Sequence, residues 1–213
     1  MENKNKMPLW MKICIPIGII LLVLAMLVGS WVGSYNNMIA LQENCTTKQA
    51  NIQTSLQSRL DKINELMPSV QGYMDHESQT FKDVTALRSN TSGVEMDSSG
   101  KMTIRSSASI QELQQVDSVT SSLVRDINVN HEAYPELQSS DLMSDFMVSV
   151  EGVENRLRVA RDNYNEAVQE YNTTIRKFPN SIIAGIGGFE KMDKYQASTE
   201  AQNAPKVEFS SNK

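Results

Sequence analysis

The sequence contains few aromatic residues. Only 6% of its 213 residues are Phe, Trp or Tyr, whereas 40% are hydrophobic and 12 are methionine. Strands are enriched in aromatic and β-branched side chains, so this composition favours helices that pack in a bundle over a β-sandwich.

The sequence also lacks an excess of positive charge and a set of cysteines. Its formal net charge is −5, whereas domains that bind nucleic acid carry a basic surface. Cys14 lies in an apolar run and Cys45 follows much later, so one helix would hold them too far apart to bridge. We therefore expect no nucleic-acid partner and no disulfide, and cysteine use leaves the cellular compartment open.

Histidine is scarce as well, and its two copies form no metal-binding motif. His76 and Glu77 are adjacent, but the zinc-protease motif needs a second histidine where the sequence has Thr80. If Glu77 is buried it needs a cationic partner, for which Arg156 and Arg161 are candidates. The expectation is no catalytic residue, no cofactor and no metal ion.

One long hydrophobic run lies near the N-terminus. Ile13 to Val28 contains no charged residue, and we predict a transmembrane helix over residues 13–33, after a short basic tail at 1–12. A span needs ~20 apolar residues. Trp10 and Trp31 flank the run, as interfacial tryptophans do.

A cleaved signal peptide is the alternative interpretation of this run. The tail is basic, and Val28-Gly29-Ser30 resembles a cleavage site. We favour an uncleaved anchor, because the run is long and the helical pattern continues directly past it.

The lysines around the run predict its orientation. Lys4, Lys6 and Lys12 precede it, and the first basic residue after it is Lys48. Positive charge tends to stay in the cytoplasm. We therefore expect a single-pass protein of the inner cell membrane, with a cytoplasmic N-terminus and an extracytoplasmic bundle.

Apolar residues recur at helical spacing in three further segments. The predicted helices are Tyr35–Arg88 with a kink or short break near Pro68, Ala108–Val129, and about Ser139 to Phe178. The serine-rich stretch 89–107 is predicted as an exposed loop, with a short hairpin or a disordered tip left open.

The third of these helices has the strongest periodicity. Its a and d positions alternate steps of three and four over five heptads, namely at Met143, Phe146, Val150, Val153, Leu157, Ala160, Tyr164, Ala167, Tyr171, Thr174 and Phe178. Two Tyr-Asn pairs, Tyr164-Asn165 and Tyr171-Asn172, are two helical turns apart and so share a face.

Polar residues accompany this apolar line. We interpret them as a structural seam that sets the register between helices, although a polar binding stripe is the alternative. The seam consists of Glu154, Arg161, Tyr164, Asn165, Tyr171 and Asn172.

Towards the C-terminus the sequence has a short apolar run, Ile182–Ile186, followed by Gly187-Gly188. We predict a turn, then a short helix around Phe189–Gln196 that caps or covers the bundle, and a polar tail at 197–213. The complete prediction is an all-α fold. A transmembrane helix continues into an elongated, antiparallel up-and-down bundle of three long helices plus a short C-terminal helix, over residues 34–196.

Several segments resemble the LemA family of bacterial membrane proteins. They are YNNMIALQENC after the anchor, RLDKINELMPSVQGYMDHE, AYPEL, and ENRLRVARDNYNEAVQEYNTTIRKFPN followed by Gly-Gly-Phe. The resemblance covers about Trp31 to Phe209. Two departures are Ser58-Arg59, where the family often has a double basic pair, and the loop SNTSGVEMDSSGK.

The resemblance implies a single-pass anchor, an up-and-down helical bundle and no known catalysis. It also implies an association with membrane organisation, since one relative is linked to magnetosome membranes and some members are encoded near membrane zinc metalloproteases. The topology often given to the family places the N-terminus outside, and we keep the opposite orientation that the lysines indicate.

We therefore expect a non-enzymatic, membrane-anchored helical scaffold or interaction protein in membrane organisation. The alternative is an adaptor or partner of a membrane-bound zinc metalloprotease, which rests on the resemblance alone. An enzyme would require a pocket that joins His76, Glu77 and Arg161 around an ion. The expected partners are the lipid bilayer, through residues 13–33, and a second copy or another membrane protein, with no small-molecule substrate evident.

Overall fold

A computed structural model describes residues 9–70, 93–98, 101–133 and 141–196. These residues form four helices and one pair of short strands. In chain order the elements are α1 (Leu9–Val70), β1 (Val94–Met96), β2 (Met102–Ile104), α2 (Ile110–Ala133), α3 (Asp141–Arg176) and α4 (Asn180–Gly187). The all-α prediction is confirmed, and the strand pair is the hairpin that the loop prediction left open.

α1 joins the apolar run to the first bundle helix without a break. It is 62 residues long, and none of the described side chains at positions 13–33 is buried. This part of α1 is long and apolar enough to cross a membrane, by length and composition. Pro68 lies within α1, and the predicted continuation through 71–88 falls outside the described residues.

The chain divides into two compact units. The anchor unit comprises Met1–Asn44 and Glu170–Met192, and the core unit comprises Cys45–Gln169 and Asp193–Lys213. α1 and α3 each contribute residues to both units.

Three helices supply the apolar interior of the core unit. The inward side chains recur every three or four residues and are at most 2% exposed, which indicates one buried stripe per helix. They include Ile52, Leu56, Leu60 and Ile63 of α1, Leu113, Val116 and Leu123 of α2, and Val153, Leu157 and Val168 of α3. Burial of each such side chain stabilises the fold by about 1.5–3 kcal/mol.

Hydrogen bonds in the core unit show the direction of α2. Gln49 of α1 donates to the carbonyl of Ala108, just before α2, over 3.0 Å. Ten residues further along α1, Arg59 binds the carboxylate of Asp117 over 2.9 Å. Both helices therefore advance in the same direction.

α3 runs in the opposite direction to α1. Arg59 contacts Glu154, whereas Leu66, which follows on α1, lines a cavity with Phe146, which precedes Glu154 on α3. The predicted antiparallel order thus holds for α1 and α3. It does not hold for α1 and α2, because the hairpin and the turn after it lead the chain back along α1.

Amide side chains of α1 hold that returning segment. Asn64 donates to the carbonyl of Met102 over 3.0 Å and accepts from its N–H over 3.3 Å. Gln57 accepts from the N–H of Ile104 over 2.7 Å. β1 covers the other edge of β2, with Val94 opposite Ile104 and the strands antiparallel.

α2 begins with a capping box. The hydroxyl of Ser109 accepts from the N–H of Glu112 over 3.2 Å, and the Glu112 carboxylate accepts from the N–H of Ser109 over 2.8 Å. This pair satisfies two N–H groups that a helix start leaves unpaired. The hydrogen bond from the backbone of Ser109 lowers the pKa of Glu112. α2 extends to Ala133, four residues past its predicted end at Val129.

The predicted helix at Phe189–Gln196 is wrong. α4 lies earlier, over the apolar run Ile182–Ile186 for which no helix was predicted, and residues 189–196 form neither helix nor strand. Gly188 ends α4 because its φ of 72° is left-handed, a conformation that glycine adopts without steric cost. Phe189 then donates its N–H to the carbonyl of Ala184 over 3.0 Å.

The predicted heptad line of α3 also fails at its last two positions. Thr174 is only half-buried and Phe178 is 82% exposed, whereas Ile175 is buried. α3 ends at Arg176, so a side chain at position 178 no longer follows the helical periodicity.

Candidate functional site

The guanidinium of Arg59 lies inside the core unit and is 0% exposed. α1 places it there because Arg59 comes three residues after Leu56 and four before Ile63, on the helix face that is turned inward. A buried charge is costly unless opposite charges and hydrogen bonds compensate it. The surrounding side chains supply both.

Arg59 donates hydrogen bonds to side chains of both α2 and α3. Its Nη1 donates to Asp117 Oδ1 over 2.9 Å, to Thr120 Oγ1 over 2.9 Å and to Ser121 Oγ over 3.0 Å. Its Nη2 donates to a carboxylate oxygen of Glu154. One side chain of α1 therefore connects all three helices of the core unit.

Asp117 is the common acceptor of this cluster. Arg161 of α3 donates to both of its carboxylate oxygens over 2.5 Å each. The hydroxyl of Tyr195, from the C-terminal segment, donates to Oδ2. The guanidinium of Arg161 also lies 5.3 Å from the centre of the Tyr195 ring, within the range of a cation–π contact.

The four charges of the cluster balance each other. Arg59 and Arg161 are positive, and Asp117 and Glu154 are negative. Burial, and then the charge of Asp117, raises the pKa of the Tyr195 hydroxyl far above its usual range. Tyr195 therefore remains a neutral donor, and the arrangement suits structural bonding better than proton transfer.

A second set of contacts fastens the C-terminal segment of the core unit. The hydroxyl of Tyr164 donates to the carbonyl of Asp193 over 2.9 Å. Asn165 donates to the carbonyl of Tyr195 over 3.0 Å and accepts from its N–H over 2.7 Å. Burial, followed by the influence of Cys45 and Asp193, raises the pKa of Tyr164 to about 12, so this donor stays protonated.

The anchor unit contains the same pattern. Tyr171 donates to the carbonyl of Glu190 over 2.9 Å. Asn172 donates to the carbonyl of Met192 over 2.8 Å and accepts from its N–H over 3.0 Å. In each unit the tyrosine binds one carbonyl, and the asparagine binds both main-chain groups two residues later. We call these two sets the Tyr-Asn clamps.

A Tyr-Asn clamp binds main-chain groups. A primary amide has an acceptor oxygen and a donor NH₂, so it pairs with an N–H and a carbonyl as a neighbouring strand does. The clamps therefore pair main-chain N–H and carbonyl groups of a segment that no β-strand pairs among the described residues.

The structure locates all six residues of the predicted seam. Glu154 and Arg161 join the charge cluster, and Tyr164, Asn165, Tyr171 and Asn172 form the clamps, which hold the C-terminal segment. Arg161 binds Asp117, whereas its predicted partner Glu77 lies outside the described residues, as does His76. Within the described ranges no three His, Cys, Asp or Glu side chains are grouped to hold a metal ion.

Neither Asp117 nor Tyr195 was predicted from the sequence as a site residue, and Arg59 was noted only as part of Ser58-Arg59. A signal for two of them exists. Arg59 directly precedes Leu60 and Asp117 directly follows Val116, so each lies beside an apolar line, as the polar seam residues of α3 do. Tyr195 gave no signal, because its segment is not periodic.

Comparison with known proteins identifies the family. The family profile described as the LemA family matches residues 48–209. This chain belongs to the LemA family. The matched region contains the charge cluster and both clamps, and it starts after the predicted transmembrane helix.

Individual relatives are distant. The chain is 25% identical to "Protein LemA" of Metamycoplasma hominis over 168 residues, which cover 79% of this chain and 69% of the relative. It is 24% identical to "Magnetosome protein MamQ 1" and "MamQ 2" of Paramagnetospirillum magneticum over 182 residues, covering 76% of this chain. The chain spans 64% of the length of these MamQ relatives, slightly less than two thirds.

The clamps predict local protection of two main-chain amides. Replacing Asn165 by Ala removes the acceptor for the N–H of Tyr195, and Asn172→Ala does the same for Met192. A lost hydrogen bond of about 1.4 kcal/mol corresponds to about tenfold faster exchange through local opening. We expect Asn165→Ala to accelerate exchange at Tyr195 and Asn172→Ala at Met192, as measured by NMR hydrogen exchange in detergent micelles.

Each variant is the control for the other. If both substitutions accelerated both amides equally, the two clamps would open as one unit, and the local role assigned to each asparagine would be wrong.

The charge cluster predicts a large loss of stability when Arg59 is replaced. Arg59→Met keeps the apolar stem but leaves Glu154 and part of Asp117 uncompensated, which should cost about 3 kcal/mol or more. Lys62→Met on the same helix is the control, because Lys62 pairs with Glu65 at an exposed site, where water screens the ion pair. This substitution should therefore destabilise the protein much less than Arg59→Met does. Denaturant unfolding followed by circular dichroism compares them, and similar losses in both variants would contradict a structural role for the cluster.

Proposed function

We propose that this protein is a non-enzymatic, membrane-anchored helical scaffold or interaction protein that acts in membrane organisation. The proposal rests on one observation: the buried polar side chains of the core unit bind one another or main-chain groups of the protein. Arg59, Asp117, Arg161 and Tyr195 bind one another. The Tyr-Asn clamps bind main-chain groups. Both sets stabilise packing between segments.

The apolar part of α1 indicates membrane anchoring. We propose that residues 13–33 cross the inner cell membrane once and that lipid is their partner. The uninterrupted helix Leu9–Val70 supports this proposal, because it joins the apolar residues directly to residues that pack in the core unit.

The relatives support a role without catalysis. The MamQ relatives are described as magnetosome proteins, a description that names a cellular structure. Transferred to this chain, it favours a protein that organises or marks a membrane.

We propose that the partner contacts α3 on its outward face. Val148 and Val159 are 69% and 55% exposed. They are eleven residues apart, about three helical turns, and therefore lie on one face. A partner that covers this face would remove both apolar side chains from water, which favours association.

The outward face of α3 can be tested by photo-crosslinking in intact membranes. A photoreactive amino acid at Val148 or Val159 should form a defined adduct with a second copy of the chain or with another membrane protein. Arg125, exposed on α2, provides the control position and should give markedly less product. Gel mobility and mass spectrometry identify the adduct.

The products distinguish the candidate functions. An adduct with a second copy or a non-catalytic membrane protein supports the scaffold. Recovery of a membrane zinc metalloprotease would replace the scaffold by the adaptor alternative. No more adduct at the two valines than at Arg125 would remove the outward face of α3 as an interaction surface.

We also propose that the N-terminus is cytoplasmic and the bundle extracytoplasmic. The support is the lysine distribution, with Lys4, Lys6 and Lys12 before the run and Lys48 as the first basic residue after it. Protease added to intact spheroplasts should then digest the bundle, while a cytoplasmic marker protein stays intact. Complete protection of the bundle, followed by digestion after lysis, would reverse the orientation.

A further inference from the structure

α4 and the turn before it expose three large apolar side chains of the anchor unit. Phe178 is 82% exposed, Ile182 is 51% exposed and Ile186 is 72% exposed. Ile182 and Ile186 are one turn apart on α4 and share a face, whereas Ile183 and Ala184 are buried. α4 therefore has two apolar faces. The face with Ile183 and Ala184 is buried, and the face with Ile182 and Ile186 is exposed.

The composition of α4 fits an environment less polar than water. Its sequence, NSIIAGIG, contains no charged residue. Basic residues flank it instead, since Arg176, Lys177 and Lys191 are all exposed. Apolar residues framed by Lys and Arg are characteristic of segments that lie at the surface of an anionic bilayer.

The C-terminal end of α4 lies directly against α1. The ring of Phe189, just after α4, packs edge-to-face on Tyr35 with 5.3 Å between the ring centres. A Cβ atom on Gly187 would lie 2.9 Å from the Tyr35 ring, too close for a side chain. The backbone at the end of α4 therefore contacts α1 at Tyr35.

Tyr35 lies close to the predicted end of the membrane span. It follows Trp31 by four residues, about 6 Å along a helix. The headgroup layer on each side of a bilayer is about 5–8 Å thick. If Trp31 lies at the boundary of the hydrocarbon, Tyr35 and the end of α4 lie within the headgroup layer.

We propose that Phe178, Ile182 and Ile186 insert into the headgroup–acyl boundary of the bilayer that α1 spans, so that α4 forms a second, interfacial lipid contact. The proposal rests on membrane anchoring through residues 13–33. Lipid is the occupant that the position favours, because the uncovered apolar face belongs to the same unit as the span and adjoins the residue that leaves it.

The test uses the full chain in vesicles of phosphatidylcholine and phosphatidylglycerol. Ile186→Cys in a Cys14→Ser/Cys45→Ser background carries an environment-sensitive fluorophore, and the vesicles contain lipids with a nitroxide near the headgroup. The label at position 186 should show blue-shifted emission and several-fold stronger quenching than a label at Val159→Cys, an exposed site of the core unit. Circular dichroism checks that each labelled variant keeps its helix content.

A label on the native Cys14, in a Cys45→Ser background, tests the membrane span separately from the interfacial contact of α4. Cys14 lies within the apolar run, so quenching there by nitroxides deep in the acyl chains reports the span itself. Without that quenching, the proposed anchoring fails. With it, a water-exposed label at position 186 would overturn the interfacial contact alone.

A label at position 186 that is shielded from water but not quenched by lipid nitroxides would also overturn the proposal. The apolar face of α4 would then be covered by a second copy of the chain or by another protein. A second label at Phe178→Cys repeats the measurement at the other end of the patch and should behave as the label at position 186 does.

Discussion

The carboxylate of Asp117 is the point on which the core unit depends. It accepts hydrogen bonds from Arg59 of α1, Arg161 of α3 and Tyr195 of the C-terminal segment, while Asp117 itself belongs to α2. Four segments that are remote in sequence are thereby connected at one side chain. Because a buried charge without partners is costly, the cluster disfavours any arrangement in which one of these segments is displaced. Apolar packing makes the helices associate, and the cluster restricts how they do so.

A second constraint comes from segments with main-chain groups that no neighbouring strand pairs among the described residues. Buried main-chain groups must be paired, and here asparagine side chains supply the pairing. Asn64 binds both main-chain groups of Met102, and Asn165 binds both groups of Tyr195. Asn172 does the same for Met192 in the anchor unit. The same pairing occurs three times, which explains why these asparagines lie beside the apolar lines of α1 and α3.

The chain is a helical protein of the LemA family, and the apolar run of α1 indicates that it is associated with a membrane. The two proposed contacts concern different surfaces. The outward face of α3, marked by Val148 and Val159, belongs to the core unit and is assigned to a protein partner. The uncovered face of α4, marked by Ile182 and Ile186, belongs to the anchor unit and is assigned to lipid. Both surfaces are apolar. The second is assigned to lipid because the end of α4 contacts Tyr35, close to the predicted end of the membrane span.

The sequence by itself determined the three long helices and the apolar run, because hydrophobic periodicity and length are local properties. It also located Tyr164, Asn165, Tyr171 and Asn172, whose regular spacing is visible without a structure. Only the tertiary structure decided what these side chains bind, since their partners are 19 to 30 residues away. The same reason applies to the direction of α2, which amide side chains of α1 set through the returning hairpin. It applies equally to residues 189–196, where main-chain bonds to distant side chains replaced the helix that local pattern predicted.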